Sequence, residues 1–358
     1  MTRRVAVTLE DVARRAGVSL STASRVINGS TRSVTPEFRE RVLGAASELG
    51  YLPNRHAQAV ARGRSSLIGV LVHDIADPYF SSIAAGAMRE AEPHGMVVLG
   101  NSLRRPEYEP EFVATMRAQR TRALVLVGSR VRDAGRTRAL RAEVAAFLAE
   151  GGQVCAVGQP GLGAHTVQPA NRAGARALAH ALADRGYRDF AVLRGPDALL
   201  TATERLAGFC EGLAARGLSV PDAAVIPGPF TREGGHAAAL ALLEAGPLPD
   251  CVFAVNDVMA LGALAAFREQ GIAVPDDVAL AGFDDIPTLR DVAPALTTVR
   301  LPLTAMGQRA AALALEASAG PPRLVRVDAE VVLRESTRRP VAMAAATPAA
   351  HPTGSRRT

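Results

Sequence analysis

Residues 8–29 carry two short helical patterns that are separated by a very short turn. The first pattern begins at Thr8 with the S/T-x-x-D/E signature of a capped helix, and Gly17 supplies the left-handed residue with which such a helix ends. Ser19 can cap the second helix, and Asn28-Gly29 can end it. So short a connection requires the two helices to cross steeply, which predicts a helix-turn-helix motif.

A third helix should complete a small head. Thr35-Pro36-Glu37 supplies a cap, a proline at the first helical position and an acidic first turn, and Gly50 can end this helix. The residues expected to face inwards are Val18, Ala23 and Val26 around the second helix and Phe38, Val42, Ala45 and Leu49 along the third.

The outward residues of the second helix are short and polar apart from one leucine and one arginine. They are Leu20, Ser21, Thr22, Ser24 and Arg25. This set suits contacts with base edges and phosphates in a DNA major groove, where Arg25 can read a guanine. An ordinary small helical domain that binds no DNA is the alternative interpretation.

The basic charge is concentrated at the two ends of the chain. The formal net charge is +6 in total, with +6 in residues 1–64, −4 in residues 65–336 and +4 in residues 337–358. A basic head on a mildly acidic body is typical of an appended nucleic-acid-binding module, although a solvated basic face would give the same count.

The body alternates apolar runs with helical stretches. Buried strands that alternate with helices form parallel sheets, and ligands of such sheets bind beyond the carboxyl ends of the strands. The sequence therefore predicts an α/β body, and two series of runs predict two lobes. The runs are Leu67–Val72, Met96–Leu99, Ala123–Val127, Gln153–Val157, Phe190–Leu193, Cys251–Val255 and Val278–Phe283.

Two long segments, TLEDVARRAGVSLSTASRVINGS and VTPEFRERVLGAASELGYLPNRHAQAVARGRSSLIGVLV, resemble the start of a lac repressor/galactose repressor (LacI/GalR) family regulator. The likeness continues through the body to Arg339. It implies a three-helix helix-turn-helix domain over 1–52 and a hinge helix or linker over 53–64. It further implies a two-lobed, periplasmic-binding-protein-like core of parallel sheets over 65–336, whose lobes are joined by three crossovers and which binds the effector and dimerises. The Ala/Pro/Arg/Thr-rich composition of residues 337–358, without sustained a/d heptads, predicts a disordered tail.

The resemblance implies that the head and the hinge helix bind DNA, and that the hinge inserts a side chain into the minor groove. Val60 stands where the family carries a leucine, so a shallower wedge or a greater reliance on phosphate contacts is expected. An ordinary interdomain linker is the alternative. The residues expected at DNA are Thr8, Ser19, Leu20, Ser21, Thr22, Ser24, Arg25, Asn28, Asn54, Arg55, Ala57 and Val60.

In the body, the resemblance implies an effector site between the lobes. Its expected residues are Asp77, Tyr79, Phe80, Thr201, Arg205, Phe230, Asn256 and Asp284. The Arg205 guanidinium should reach ligand oxygens, and Phe230 should stack on a sugar or base. Plainer alternatives are helix caps at Asp77 and Asn256, a core phenylalanine and a surface arginine.

Two departures from the family pattern bear on the ligand. Ala170 stands where the family usually has an aspartate, which removes one acceptor for a hydroxyl group. Leu199 stands where purine repressors carry an arginine, which disfavours a purine. We therefore expect a sugar or a sugar derivative.

The expected function is that of a DNA-binding transcriptional regulator, a repressor that binds a palindromic operator as a homodimer under allosteric control by a small molecule. A two-fold operator requires two heads. A tetramer and an activator stay open alternatives. No apolar run reaches the length of a membrane span, and no signal core follows the first arginines, so a cytoplasmic, nucleoid-associated protein without a membrane partner is expected.

Other function classes fit less well. An enzyme would need a motif such as G-x-G-x-x-G, G-x-S-x-G or H-E-x-x-H, and the sequence has none. A transport-type binding protein would need a signal peptide and no basic head. Cys155, Cys210 and Cys251 lie far apart, so neither a disulfide nor a metal site is predicted, and no cofactor is expected.

Overall fold

The computed structural model describes residues 7–27, 34–51, 66–103, 105, 107–316 and 320–338. These residues form two compact units, a head within Met1–Ser66 and a core within Leu67–Thr358. The hinge segment predicted over 53–64 lies outside the described residues, as do all but two residues of the predicted tail. Thr337 is fully buried, so the folded core continues past residue 336.

The head contains α1 (Leu9–Ala16), α2 (Leu20–Ile27) and α3 (Pro36–Leu49). The caps that the sequence predicts around the turn are present. Thr8 and Asp11 accept hydrogen bonds from each other's backbone N–H groups at the start of α1. Gly17 ends α1 in the left-handed conformation, with φ at 63°, and Ser19 Oγ accepts the N–H of Thr22 at 3.2 Å. The helix-turn-helix prediction is therefore confirmed in its local geometry.

The three helices enclose a small apolar core. Its buried residues are Val12, Ala13, Ala16, Ala23, Val26, Val42, Ala45 and Ala46. Two details of α3 differ from the prediction. Phe38 is 39% exposed, because the buried stretch of α3 begins only at Val42. Thr35 makes no capping hydrogen bond through its side chain, and Pro36 at the first helical position has no N–H to offer.

The core contains twelve described strands and eight described α-helices. The strands are β1 (Leu67–Val72), β2 (Met96–Asn101), β3 (Ala123–Val127), β4 (Gln153–Val157), β5 (His165–Pro169), β6 (Phe190–Arg194), β7 (Val225–Pro227), β8 (Cys251–Ala254), β9 (Ala279–Ala281), β10 (Thr298–Arg300), β11 (Leu324–Val327) and β12 (Glu330–Val332). The helices are α4 (Pro78–Ala91), α5 (Tyr108–Ala118), α6 (Ala134–Ala149), α7 (Asn171–Asp184), α8 (Leu200–Ala214), α9 (Arg232–Ala245), α10 (Asp257–Glu269) and α11 (Leu303–Leu315).

These elements form two lobes, each built on a parallel sheet. The N-lobe sheet has the order β11-β5-β4-β3-β1-β2, and the C-lobe sheet has the order β7-β6-β8-β9. The chain passes between the lobes three times, from β5 to α7, from β10 to α11 and from β11 to the antiparallel pair of β12 with β10. The predicted two-lobed α/β core with three crossovers is confirmed.

Each of the seven apolar runs contains a strand, although the last run forms a strand only at Ala279–Ala281, and the environments of the strands are not all as predicted. β2 is an edge strand whose Met96 and Leu99 are 46% and 39% exposed, so it is not a buried strand. The strands β5, β7, β10, β11 and β12 were not predicted. They are three to five residues long and carry polar, exposed or half-buried residues, so only their partners in the folded chain define them.

Glycines allow the helices to touch backbone to backbone. A Cβ at Gly86 of α4 would lie 2.0 Å from the carbonyl oxygen of Thr304 on α11, and a Cβ at Gly307 of α11 would lie 1.9 Å from that of Ile83. Glycines make the same close approach between α7 and α8 and between α9 and α10. The chain enters α11 after it crosses from the C-lobe, so the contact of α11 with α4 anchors this connection on the N-lobe.

We expect Gly86→Ala to lower the free energy of unfolding of the core by about 2 kcal/mol, since the strain of overpacking exceeds the gain in helix propensity. Urea unfolding followed by circular dichroism measures the change. Arg89→Ala, on the exposed side of the same helix, serves as the control and should stay within about 0.5 kcal/mol of the parent. An unchanged midpoint in Gly86→Ala would contradict the close helix contact.

Candidate functional site

The second helix of the head presents a polar outward face. Its exposed members are Leu20, Ser21 and Arg25, and its half-buried members are Thr22 and Ser24. The hydroxyls of Ser21 and Thr22 each lie 2.9 Å from Ser19 Oγ at the start of the helix. The guanidinium of Arg25 forms no ion pair with any residue that the structure describes. This face therefore offers a group of hydroxyls and an exposed cation, which can bind base edges and phosphates.

The remaining residues predicted at DNA are placed differently. Thr8 acts as the cap of α1, since its Oγ1 accepts the N–H of Asp11 at 3.3 Å and donates to Asp11 Oδ2 at 2.8 Å. Thr8 therefore stabilises the first helix of the motif and is not part of the exposed face of α2. Asn28, Asn54, Arg55, Ala57 and Val60 lie outside the described residues.

A cavity of about 320 Å³ lies between the two lobes of the core. Its lining includes all eight residues that the sequence predicts for an effector site: Asp77, Tyr79, Phe80, Thr201, Arg205, Phe230, Asn256 and Asp284. These residues follow β1, β6, β7, β8 and β9 at or near their carboxyl ends. The cavity is thus in the position where parallel sheets bind ligands.

Arg205 of α8 forms part of the cavity wall and is almost completely buried. Its Nη2 donates to Asp284 Oδ1 at 2.6 Å, its Nε donates to Asn171 Oδ1 at 3.0 Å, and its Nη1 donates to the carbonyl of Val255 at 2.8 Å and to Asp284 Oδ2 at 3.3 Å. Phe283 lies under the guanidinium at 3.9 Å. Toward the residues that the structure describes, four of the five N–H groups of this arginine are in use, which leaves one for a ligand.

The Asp284 carboxyl group and this arginine form a buried pair. Burial and the neighbouring Asp257 raise the pKa of the Asp284 carboxyl above its usual range, while the Arg205 guanidinium opposes the rise by favouring the charged form. Asp284 also holds a left-handed backbone conformation, with φ at 121°, which non-glycine residues rarely adopt. A buried pair of this kind is costly to break from either side.

Asp77 and Asn256 both cap helices and line the cavity. Asp77 Oδ1 accepts the N–H of Tyr79 at 3.0 Å at the start of α4. Asn256 Oδ1 accepts the N–H of Met259 at 2.9 Å at the start of α10, and its Nδ2 donates to no residue that the structure describes. The capping alternative is correct for both, and it leaves the amide nitrogen of Asn256 available to a ligand.

Aromatic side chains come from both lobes. Tyr79 and Phe80 of α4 pack edge to face with ring centres 5.0 Å apart. Phe230 enters from the C-lobe, and its ring lies so close to Gly195 that a Cβ there would be 2.4 Å away. The cavity therefore has apolar walls around its polar groups, a combination that suits the mixed faces of a sugar.

Sequence reasoning missed several residues of this wall. They are His73, Gly128, Ser129, Val131, Gly158, Pro196, Ala198, Pro229 and Thr231. His73 follows β1, and Gly128 and Ser129 follow β3, so the rule that ligands bind at the carboxyl ends of strands could have found them. Of the two departures from the family pattern, Leu199 lines the cavity, whereas Ala170 lies at the start of α7 and is not among the lining residues.

A buried charged group lies behind His73. His73 Nε2 is 2.9 Å from Glu109 Oε1, and Arg130 donates to both carboxylate oxygens of Glu109 at 3.0 Å. Burial alone would raise the pKa of Glu109, but the Arg130 guanidinium and His73 outweigh it and hold the pKa at about 2. The carboxylate is thus charged at neutral pH and orients the histidine that lines the cavity.

Among the described residues, no three His, Cys, Asp or Glu side chains are grouped as they would be around a metal ion. Within the same residues, no helix combines the length and the apolar character needed to span a bilayer.

Two family models match the chain. The model for bacterial regulatory proteins of the lacI family matches residues 8–54, and the model for the periplasmic binding protein-like domain matches residues 179–337. The first covers the helix-turn-helix head and the second covers most of the C-lobe. The combination is that of a transcriptional regulator and not of an enzyme.

The chain belongs to the LacI family. The regulator GalS of Salmonella typhimurium is 34% identical over 317 residues, which is 88% of this chain and 91% of GalS. A complex of the regulator CelR with cellobiose has 31% identity and a TM-score of 0.67 over 92% of this chain and 99% of the other. The lac repressor dimer bound to operator and the anti-inducer ONPF has 28% identity and a TM-score of 0.78 over 93% and 99%.

The buried Glu109 predicts an acid-sensitive core. A carboxyl group whose pKa is about 2 in the folded chain, against 4.5 ordinarily, contributes stability above pH 4.5 that is lost as the pH falls towards 2. We expect Glu109→Gln to cost about 3 kcal/mol at pH 7 and to flatten this part of the stability curve. Urea unfolding between pH 7 and pH 2.5 measures both effects.

Glu111→Gln, on the same helix but exposed and without an ion pair to any residue that the structure describes, is the control. Its curve should follow that of the parent. An equal slope for Glu109→Gln and the parent would mean that Glu109 does not carry the acid sensitivity.

Proposed function

We propose that this chain represses transcription by binding a palindromic operator as a homodimer, and that a sugar or sugar derivative in the interlobe cavity controls the binding. The observation that carries the proposal is the meeting of all eight predicted effector residues around one cavity, in a chain whose head has a polar recognition face. A change in lobe geometry on binding would alter the positions of two paired heads.

The DNA contact is assigned to α2. Its exposed Ser21 and Arg25 suit the major groove, and a net charge of +6 in residues 1–64 suits the phosphate backbone. Residues 1–52 are proposed as the DNA-binding domain and residues 53–64 as the hinge, in which Val60 would enter the minor groove. A repressor of this kind would act in the cytoplasm, on the nucleoid.

A sugar suits the cavity better than a flat, fully apolar ligand. The remaining N–H of Arg205 and the Nδ2 of Asn256 can donate to hydroxyls, and the Phe80 and Phe230 rings provide apolar surfaces. A volume of about 320 Å³ is at the lower end of small-molecule sites. The relative CelR forms a complex with cellobiose, which makes that disaccharide a reasonable first probe.

The proposed homodimer can use the edge of the N-lobe. Met96 and Leu99 of the edge strand β2, Met88 of α4 and Leu103 all expose apolar side chains in this part of the chain. Exposed apolar side chains beside an unpaired strand edge favour association. The structure of the lac repressor on its operator is described as a dimer, which supports the same assembly here.

The operator proposal predicts a two-fold symmetric site in a selection from random DNA duplexes at near-physiological salt, because affinity depends strongly on salt. Arg25→Ala should lose base preference at one position of each half-site, by about 1–3 kcal/mol, since a bidentate contact to guanine is lost. Repeating the selection with the variant measures the change.

A uniform loss of affinity for every sequence would assign Arg25 to a phosphate instead. Enrichment of no symmetric site by the parent chain, with or without cellobiose, would contradict the operator proposal itself.

The effector proposal predicts that Phe230→Ala weakens sugar binding about tenfold, because the stacking surface is lost. Titration calorimetry with cellobiose and a panel of monosaccharides identifies the sugar and measures its affinity. Phe112→Ala removes a half-buried ring that does not line the cavity and serves as the control. Equal affinities of the parent and Phe230→Ala would remove this ring from the site.

A further inference from the structure

The two lobes are joined on one side of the cavity by backbone hydrogen bonds. The N-lobe segment Ser129–Arg132 follows β3, and the C-lobe segment Ala198–Thr201 leads into α8. Arg132 N donates to Ala198 O at 2.7 Å, Leu200 N donates to Arg130 O at 3.0 Å, and Val131 and Leu199 form an antiparallel bridge. We name these two segments the interlobe zipper.

The side chain of Gln159 forms hydrogen bonds with both segments of the interlobe zipper. Gln159 follows β4 of the N-lobe, and it is 4% exposed. Its Oε1 accepts the N–H of Arg130 at 2.9 Å. Its Nε2 donates to Thr201 Oγ1 at 2.9 Å and to Glu204 Oε2 at 3.2 Å, both on α8 of the C-lobe. One buried carboxamide therefore binds both strands of the zipper at once.

The Gln159 contact continues to the floor of the cavity. Glu204 Oε2 also accepts from Asn171 Nδ2 at 2.9 Å, and Asn171 Oδ1 accepts from Arg205 Nε at 3.0 Å. Arg205 in turn binds Asp284, so a continuous chain of hydrogen bonds runs from the N-lobe through Gln159 to the buried ion pair. A shift of the lobes must break this chain or move it as a unit.

A ligand in the cavity would touch the zipper directly. Five zipper residues line the cavity: Ser129, Val131, Ala198, Leu199 and Thr201. Thr201 N also donates to Ser129 Oγ at 3.1 Å, which places this interlobe bond at the cavity wall. Ligand contacts with both segments would favour the arrangement in which the zipper is formed, and a group that separates Val131 from Leu199 would disfavour it.

We propose that Gln159 is a positioning residue that latches the two lobes together, and that the effector acts by stabilising or separating the interlobe zipper. The consequence for effector control rests on the proposed function. The latch itself is a property of the ligand-free core, so it can be tested without DNA or sugar.

The first test is amide hydrogen exchange of the full-length, ligand-free chain, with peptides that cover the amides of Arg132 and Leu200. Neither amide touches Gln159, so their exchange reports on the zipper and not on the lost side chain. Gln159→Leu should speed both about tenfold, since buried groups lose their partners and the zipper opens more often. Gln153→Leu, at the other end of β4, is the matched control and should leave both rates unchanged.

Unchanged rates in Gln159→Leu, or equal acceleration in Gln153→Leu, would overturn the latch. If Gln159→Leu also speeds exchange throughout the core, a general loss of stability would account for the effect at the zipper. In that case a second experiment, which exchanges the amide and the carboxylate between positions 159 and 204, decides the question. Gln159→Glu places a second carboxylate against Glu204 and should open the zipper. Glu204→Gln in the same chain restores an amide–carboxylate pair, and the two zipper amides should return to within about threefold of the parent.

Failure of the double variant to slow the exchange of Gln159→Glu would overturn the latch, because a merely structural role would predict no rescue. The outcomes separate the two proposals. If the zipper amides exchange slowly in the parent and faster in Gln159→Leu, but the chain enriches no operator, the role of Gln159 is supported and the proposed regulator function is rejected. If the chain enriches an operator but substitution of Gln159 leaves the exchange of the zipper amides unchanged, the regulator function is supported and the proposed role of Gln159 is rejected.

Discussion

The buried guanidinium of Arg205 is the interaction on which the core most depends. It joins the start of α7 at Asn171, the end of β8 at Val255 and the loop after β9 at Asp284, three places that are distant in sequence. A buried arginine requires hydrogen-bond partners for its N–H groups, so these three elements must lie next to the guanidinium in the folded core. Their meeting point forms the floor of the interlobe cavity.

The same requirement links the cavity to the contact between the lobes. Asn171 lies directly after the crossover from β5, and its amide connects Arg205 to Glu204 and Gln159. The cavity floor and the interlobe zipper are therefore parts of one buried polar network. In such a network the loss of one member leaves several groups without partners.

The head was predictable because its structure is local. A cap at Thr8 and a left-handed glycine at Gly17 are each defined by residues a few positions apart. Phe38 was wrongly assigned to the core, since its burial depends on how far the other helices extend along α3 and not on its own periodicity. The edge position of β2 was missed for the same kind of reason, because an apolar run does not indicate which strands will lie beside it in the sheet.

The sequence by itself determined the alternation of strands and helices and most of the helix caps, because each follows from local chemistry. Its resemblance to the LacI family supplied the eight residues now found around the cavity. Only the tertiary structure decided that Arg205 uses four of its N–H groups on the protein and that His73 stands on a Glu109–Arg130 pair. It alone brought Gln159 against Thr201 and Glu204. These contacts join residues 21 to 79 positions apart through side chains whose partners are set by the packing of two lobes, and no periodicity or spacing encodes such a distance.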